Sequence, residues 1–293
     1  MSIIESMLEK TKARQGVAPG QEVRTMALHE HTHPRRDRGS EPPPASLLSP
    51  LPVPLDVECA RENRVVLGIG DPQDRPIMAA YGMLRTRLLQ RARAKGWTTI
   101  GVTSPAPQDG KSLTSVNLAL SLARERNSTV VLLDCDLRNP SVCPLLGIVP
   151  PIELRDYFRD SAPPRDEIFV SIGIENLMLA GNTGPAEHSS ELLASGRLEE
   201  LLEFVRRATA SPFILIDLPP LVSPDDALVV APKIDALLLV AAEGATPRTE
   251  LDKALELAAN FPLAGFVLNR STEMTRKYTY GYGYYGGGSA SRT

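Results

Sequence analysis

One stretch constrains the fold more than any other: residues 98–112, Thr-Thr-Ile-Gly-Val-Thr-Ser-Pro-Ala-Pro-Gln-Asp-Gly-Lys-Ser. A β-branched apolar run ends in a turn-rich loop, the loop closes on Gly110-Lys111-Ser112, and an amphipathic segment follows. That order is strand, phosphate loop, helix. A helix start presents unpaired N–H groups and a positive dipole end, which suit an anion. The loop from Gln108 and Asp109 through Gly110, Lys111, Ser112 and Leu113 is therefore expected to hold phosphates. Lys111 would reach the outer ones, and the Ser112 hydroxyl would ligate Mg²⁺. Pro105 stands where the first glycine of the usual G-x-x-x-x-G-K-[ST] spacing would be.

The rest of the chain supports a doubly wound, mainly parallel sheet, a three-layer α/β/α arrangement of the P-loop NTPase kind. Residues 128–136 are a continuous apolar run ending in Asp134 and Asp136, and residues 213–217 repeat the pattern with Asp217 at the tip. Such runs suit strands buried on both faces, whose C-terminal ends carry the ligand in doubly wound folds. Strands are expected at 97–103, 128–136, 213–217, 235–241 and 263–269. Helices are expected at 76–95, 111–126, 188–209, 224–231 and 247–260. The alternation implies right-handed crossovers. Residues 140–187, short and proline-interrupted, read as an excursion at one edge.

Four regions follow from composition: a short N-terminal helix in 1–17, a disordered Pro-rich linker over 18–62, a P-loop domain over 63–270, and a flexible Tyr/Gly-rich tail over 271–293. The helix at 2–14 carries Ile3, Ile4, Met7 and Leu8 on one face. In the linker His29, His31 and His33 alternate, a solvated polar tract with nothing nearby to fix a metal geometry. A net charge of −3 argues against nucleic acid as partner. Three cysteines make no disulfide framework and fit a reducing cytosol. With no apolar run long enough for a membrane span and no secretory signal, a cytoplasmic protein is expected, with any membrane role exercised through a partner.

Phosphoryl transfer depends on charge neutralisation and positioning more than on covalent chemistry. Lys111 and the loop amides would hold the β- and γ-phosphates of ATP. Ser112, Asp134 and Asp217 would sit around Mg²⁺, with Asp136 at the neighbouring strand tip. Tyr278, Tyr280, Tyr282, Tyr284 and Tyr285 in the tail supply acceptor hydroxyls. A tyrosine has a pKa near 10, so a carboxylate that takes its proton helps, and Asp136 or Asp134 could do so.

These residues resemble the bacterial tyrosine autokinases of capsular and exopolysaccharide export. Leu132-Leu133-Asp134-Cys135-Asp136-Leu137-Arg138 is similar to that family's D-x-D-x-R motif, and Ile214-Leu215-Ile216-Asp217-Leu218-Pro219-Pro220 to its Walker B. Ser190-Glu191-Leu192-Leu193 resembles its S-E-L-L helix start, and the tyrosine tail its autophosphorylation cluster. The helix at 2–14 and Tyr81-Gly82-Met83-Leu84-Arg85-Thr86-Arg87 resemble most the stand-alone kinases of exosortase-linked clusters. The resemblance implies an ATP-dependent kinase in which Arg138 and Asn269 join the nucleotide site, Asn269 at the adenine. It implies activation by a membrane-spanning polysaccharide co-polymerase, recruitment to the inner face of the plasma membrane, and a homo-oligomer.

Departures from the family pattern fall in two functional places. Gln108 replaces a loop glycine, which adds strain if φ is positive there. The assembly motif E-x-x-R-x-x-R maps to Ala79, Gly82 and Arg85, so two of its three charges are gone. His188-Ser189 replaces the usual Asn-Pro before S-E-L-L, a neutral change. A nucleotide-switched ATPase of the division-site group shares the fold, but its signature lysine is Ala106 here and it has no tyrosine tail. A pseudo-kinase assembly module is the other rival.

Overall fold

The computed structural model describes residues 48–271 apart from 69–71, 127, 160 and 224, all within the unit spanning 44–293. The N-terminal helix, the three alternating histidines and the tail tyrosines lie outside the described residues. The strands are β1 (Leu51–Pro52), β2 (Thr99–Thr103), β3 (Thr129–Asp134), β4 (Val170–Ser171), β5 (Leu177–Ala180), β6 (Pro212–Asp217), β7 (Ala236–Ala242) and β8 (Leu263–Asn269). The helices are α1 (Val57–Glu62), α2 (Arg75–Lys95), α3 (Lys111–Leu122), α4 (Val142–Leu146), α5 (Leu154–Tyr157), α6 (Ser189–Ala194), α7 (Arg197–Ala208), α8 (Asp226–Val230) and α9 (Arg248–Ala258).

The strands form one eight-stranded sheet in the order β1-β4-β5-β3-β6-β2-β7-β8, parallel except where β4 meets β5. This is the doubly wound architecture the apolar runs predict. Every residue of β2 and β7 is buried, and β3 and β6 are buried beyond their first residue. Strands covered on both faces read as unbroken apolar runs for this reason. α3 packs across β2, β3, β6 and β7. The edge-to-centre register puts Asp134 directly opposite Asp217, and Val102 opposite Asp217 on the other side. Three strand ends therefore converge below the phosphate loop.

Sequence and structure differ at several boundaries. Part of the expected linker is built into the sheet: β1 pairs with β4, and α1 starts on Asp56, whose Oδ1 accepts the Cys59 N–H at 3.0 Å. Prolines mark this segment, but β1 is an edge strand, where a missing N–H is tolerated. The excursion at 140–187 contributes β4 and β5 to the sheet. α3 ends at Leu122, short of residue 126, where the polar Arg124-Glu125-Arg126 run begins. The helix expected at 188–209 is two helices, broken by Gly196 at φ 56°. α2 matches its expected span because Pro76 fits a first turn and Gly96 adopts φ 71° as a left-handed cap.

Gly101 lies in the central strand under tight packing. A Cβ there would stand 2.6 Å from Ile234 Cδ1 and 2.7 Å from Leu218 Cδ1. Gly101→Val is expected to destabilise the chain by about 1–3 kcal/mol through overpacking, read as a lower urea midpoint with an unchanged slope.

Candidate nucleotide site

The loop between β2 and α3 brings the expected residues together. Lys111 Nζ stands 2.7 Å from Asp136 Oδ2 and 3.3 Å from Asp217 Oδ2, and donates to Ser112 Oγ at 3.1 Å. Ser112 Oγ donates to Asp217 Oδ2 at 2.6 Å, and Ser115 Oγ to Asp217 Oδ1 at 3.0 Å. All five side chains are buried. Ser115 went unnoticed in the sequence. Its spacing of one helical turn from Lys111 is the signal that could have found it.

Asp134 sits one layer deeper. Its Oδ1 accepts the Asp136 N–H at 3.2 Å, and its Oδ2 accepts the Ser141 and Val142 N–H groups, both at 2.9 Å. Asn182, at the end of β5, donates to the Asp134 carbonyl at 3.1 Å. Asp134 thus folds the D-x-D loop so that Asp136 faces Lys111. Burial, with the Asp217 charge beside it, pushes its carboxyl up to about 8. Burial also raises Asp217, against the pull of Lys111 and Ser112. Burial alone would lower Lys111, but Asp217 and Asp136 outweigh it and hold the ammonium above the usual lysine value. Asp136 and Asp217 flank one ammonium with Asp134 behind them, a gathering of acidic oxygens that suits a divalent cation. Among the described residues no group of three or more His, Cys, Asp or Glu could hold a metal by itself. A hydroxyl and one or two carboxylates completed by substrate phosphates is the donor set Mg²⁺ takes in such sites, and Ser112 with Asp217 fits it.

The loop itself is fastened from the far side. Asp109 Oδ2 accepts the Ala106 N–H at 3.0 Å, and its Oδ1 accepts from Thr246 Oγ1 at 2.7 Å. Asn269 Nδ2 donates to the Asp109 carbonyl at 2.9 Å, and Arg270 Nη2 to the Gln108 carbonyl at 2.7 Å. A Cβ on Gly110 (φ 91°) would collide with the Asn269 amide, so only glycine fits. The Asp109 side chain is turned into the protein, and Asn269 steadies the loop while bordering, with Gly110 and Leu113, a cleft against α2. Gln108 adopts φ 64°, the strained conformation its replacement of glycine implies.

Arg138 engages a different set of partners from Lys111. It pairs with Asp226 at 3.1 Å and donates to Ser190 Oγ at 3.3 Å. Asp226 is fully buried and also accepts from Ser189 Oγ at 2.6 Å and from Ser190. Burial would push the Asp226 carboxyl up, but hydrogen bonds from Arg138, Ser189 and Ser190 hold it below its usual value. Arg85, the charge left from the expected assembly motif, donates to the Ser121 carbonyl at 2.9 Å and pairs with Glu125 at 3.3 Å. It is engaged within its own chain.

A phosphate loop, a buried acidic pair on adjacent strand tips and a second D-x-D-x-R loop define a P-loop nucleotide-binding protein. The comparisons agree. Residues 98–293 match the family ParA, described as NUBPL iron-transfer P-loop NTPase. The tyrosine-protein kinase CpsD of Streptococcus pneumoniae serotype 4 is 31% identical over 181 residues, 61% of this chain and 78% of the relative. The crystal structure of the VpsO kinase domain superposes with a TM-score of 0.59 at 27% identity, covering 68% of this chain and 98% of that one. The succinoglycan biosynthesis transport protein ExoP of Rhizobium meliloti is 29% identical over 201 residues, 64% of this chain and 25% of that protein. The chain belongs to the bacterial tyrosine autokinases of exopolysaccharide biosynthesis, built on the ParA-type P-loop scaffold. No helix among the described residues is long and apolar enough to cross a membrane.

Gln108→Gly is expected to stabilise the chain by about 1 kcal/mol by relieving the left-handed strain, seen as a higher urea midpoint. Asp226→Ala should cost about 3 kcal/mol at pH 7, because it strands Arg138 and two hydroxyls. A carboxylate held below its usual value stabilises above the unfolded value of about 4 and loses that contribution as pH falls. The gap between wild type and Asp226→Ala should therefore narrow below about pH 4, measured by unfolding at each pH.

Proposed function

We propose that this kinase uses ATP and Mg²⁺ to phosphorylate tyrosines of its own tail over 271–293, and that this cycle regulates polymerisation and export of an exopolysaccharide. The observation that carries the reading is Lys111 lying between Asp136 and Asp217 while Ser112 shares the same Asp217. In the reaction Lys111 turns from Asp136 to the β- and γ-phosphates, with the loop amides from Gln108 to Leu113 around them. Mg²⁺, when bound, would neutralise charge on those phosphates; Ser112 and Asp217 would hold it, with Asp134 beside Asp217 on the neighbouring strand. Release of Lys111 frees Asp136 Oδ2. Asp136 is the better-placed base, because backbone N–H groups already engage both Asp134 oxygens. The tyrosine oxygen bonds to the γ-phosphorus as the bond to the β-phosphate oxygen breaks. ADP leaves, and the phenolic proton goes to Asp136.

Arg138 acts from the rim, holding the D-x-D loop against α6 and α8. Asn269 borders the position of the adenine, beside Leu113. Tyr278, Tyr280, Tyr282, Tyr284 and Tyr285 are the acceptors. A tail leaving the sheet at Asn269 reaches Tyr278 in nine residues, up to about 30 Å when extended. The likeness to the succinoglycan biosynthesis transport protein ExoP supports a partner in polysaccharide export; in our reading that partner is a membrane-spanning co-polymerase that activates the kinase and recruits it from the cytoplasm to the inner face of the membrane.

Purified chain given ATP and Mg²⁺ with such an activator should acquire phosphotyrosine. Lys111→Met should lower the rate at least about a hundredfold. Replacing the five tail tyrosines by Phe should remove most of the label and leave ATP binding intact. ATP hydrolysis without labelling would favour the division-site type of ATPase. No labelling, with Lys111→Met indistinguishable from wild type, would favour a pseudo-kinase.

A further inference from the structure

The phosphate loop carries a turn that its own sequence strains. Pro107 followed by Gln108 at φ 64° is the pattern of a type II turn, whose third position takes a positive φ and favours glycine. The Gln108 side chain is exposed, so its packing does not offset the strain.

The offset comes from the end of β8. Two consecutive residues there donate to two consecutive carbonyls of the loop. Arg270 Nη2 donates to the Gln108 carbonyl at 2.7 Å, and Asn269 Nδ2 to the Asp109 carbonyl at 2.9 Å. The donors are themselves fixed. Asn269 Oδ1 accepts the Arg270 N–H at 2.9 Å, and the Asn269 carbonyl accepts the Glu243 N–H at 2.9 Å.

This grip has a consequence for the amides. A trans peptide is planar, so its C=O and N–H point in opposite directions. Both peptides are trans. Holding the Gln108 and Asp109 carbonyls toward the end of β8 therefore turns the Asp109 and Gly110 N–H groups away from it. Asp109 also closes the turn, its Oδ2 accepting the Ala106 N–H at 3.0 Å. The Gly110 N–H meets no acceptor among the described residues and stands at the start of α3. A phosphate oxygen takes an unpaired N–H in that place.

We propose that Arg270 is a positioning residue for the phosphate loop: its bond to the Gln108 carbonyl does the work that a glycine at 108 would make unnecessary. It holds a residue with a side chain in the left-handed turn, and so keeps the Gly110 N–H aimed at the nucleotide. Arg270 acts through the loop backbone and touches no reacting atom. The proposal rests on the reading that this loop binds a nucleoside phosphate.

Four full-length chains test it: wild type, Arg270→Ala, Gln108→Gly, and the two changes together. Calorimetric titration with ADP and Mg²⁺ reads the affinity of each. Without the grip a residue with a side chain leaves the left-handed region, and apparent affinity falls with the competent fraction. Arg270→Ala should therefore weaken ADP about fivefold or more. Glycine adopts positive φ about as readily as negative. In the Gln108→Gly chain the same change should cost no more than about twofold. Equal losses in both chains would mean that Arg270 meets the nucleotide directly, and would overturn the proposal. No loss in either would overturn it too. The Gly110 amide resonance of the nucleotide-free chains gives a second readout. Arg270→Ala should shift or split it, and adding Gln108→Gly should return a single signal; a resonance indifferent to Arg270→Ala refutes the idea. Should none of the four chains bind ADP, the nucleotide reading fails, while the Gly110 resonance still decides whether Arg270 sets the turn.

Discussion

Two carboxylates placed side by side in a dry sheet are the constraint on which the site depends. Asp134 and Asp217 stand opposite each other on adjacent parallel strands, both without solvent exposure. Like charges so close in low dielectric cannot both ionise cheaply. Lys111, the Ser112 and Ser115 hydroxyls and the amides at Ser141 and Val142 are arranged to offset that cost. The site is built around an electrostatic tension that cationic and hydrogen-bonding partners relieve.

That tension explains the division of labour between the two aspartates of the D-x-D loop. Asp134 is spent on backbone N–H groups and shapes the loop. Asp136 is left facing Lys111, with one oxygen on the ammonium and the other on the Asn139 N–H. Displacing the lysine would uncover one Asp136 oxygen and leave the loop intact. The Asp226 cluster serves the same loop from outside, through Arg138.

Most of the fold was legible in the sequence because buried parallel strands advertise themselves as unbroken apolar runs. β2, β3, β6, β7 and β8 all fall where those runs lie. β1, β4 and β5 are only two to four residues long, too short for any periodicity to register. Their pairing comes from neighbours contributed by other parts of the chain. The same reason hid Asp226, Asn182 and Thr246: each acts through a partner far away in sequence, 88 residues for Asp226 and Arg138 and 137 for Thr246 and Asp109.

What the sequence determined by itself was the chemical inventory: a lysine and a hydroxyl at a helix start, three aspartates after buried strands, tyrosines at alternate positions near the end. Residue type and local spacing carry that information, because a phosphate loop is a local object. Only the tertiary structure decided which groups face one another. It set the Asp134–Asp217 register, turned Asp109 and Asn269 into braces for the loop, drew Arg138 toward Asp226, and engaged Arg85 within its own chain. Contacts between strands and helices distant in sequence are fixed by how the sheet is wound, and local residue patterns do not record them.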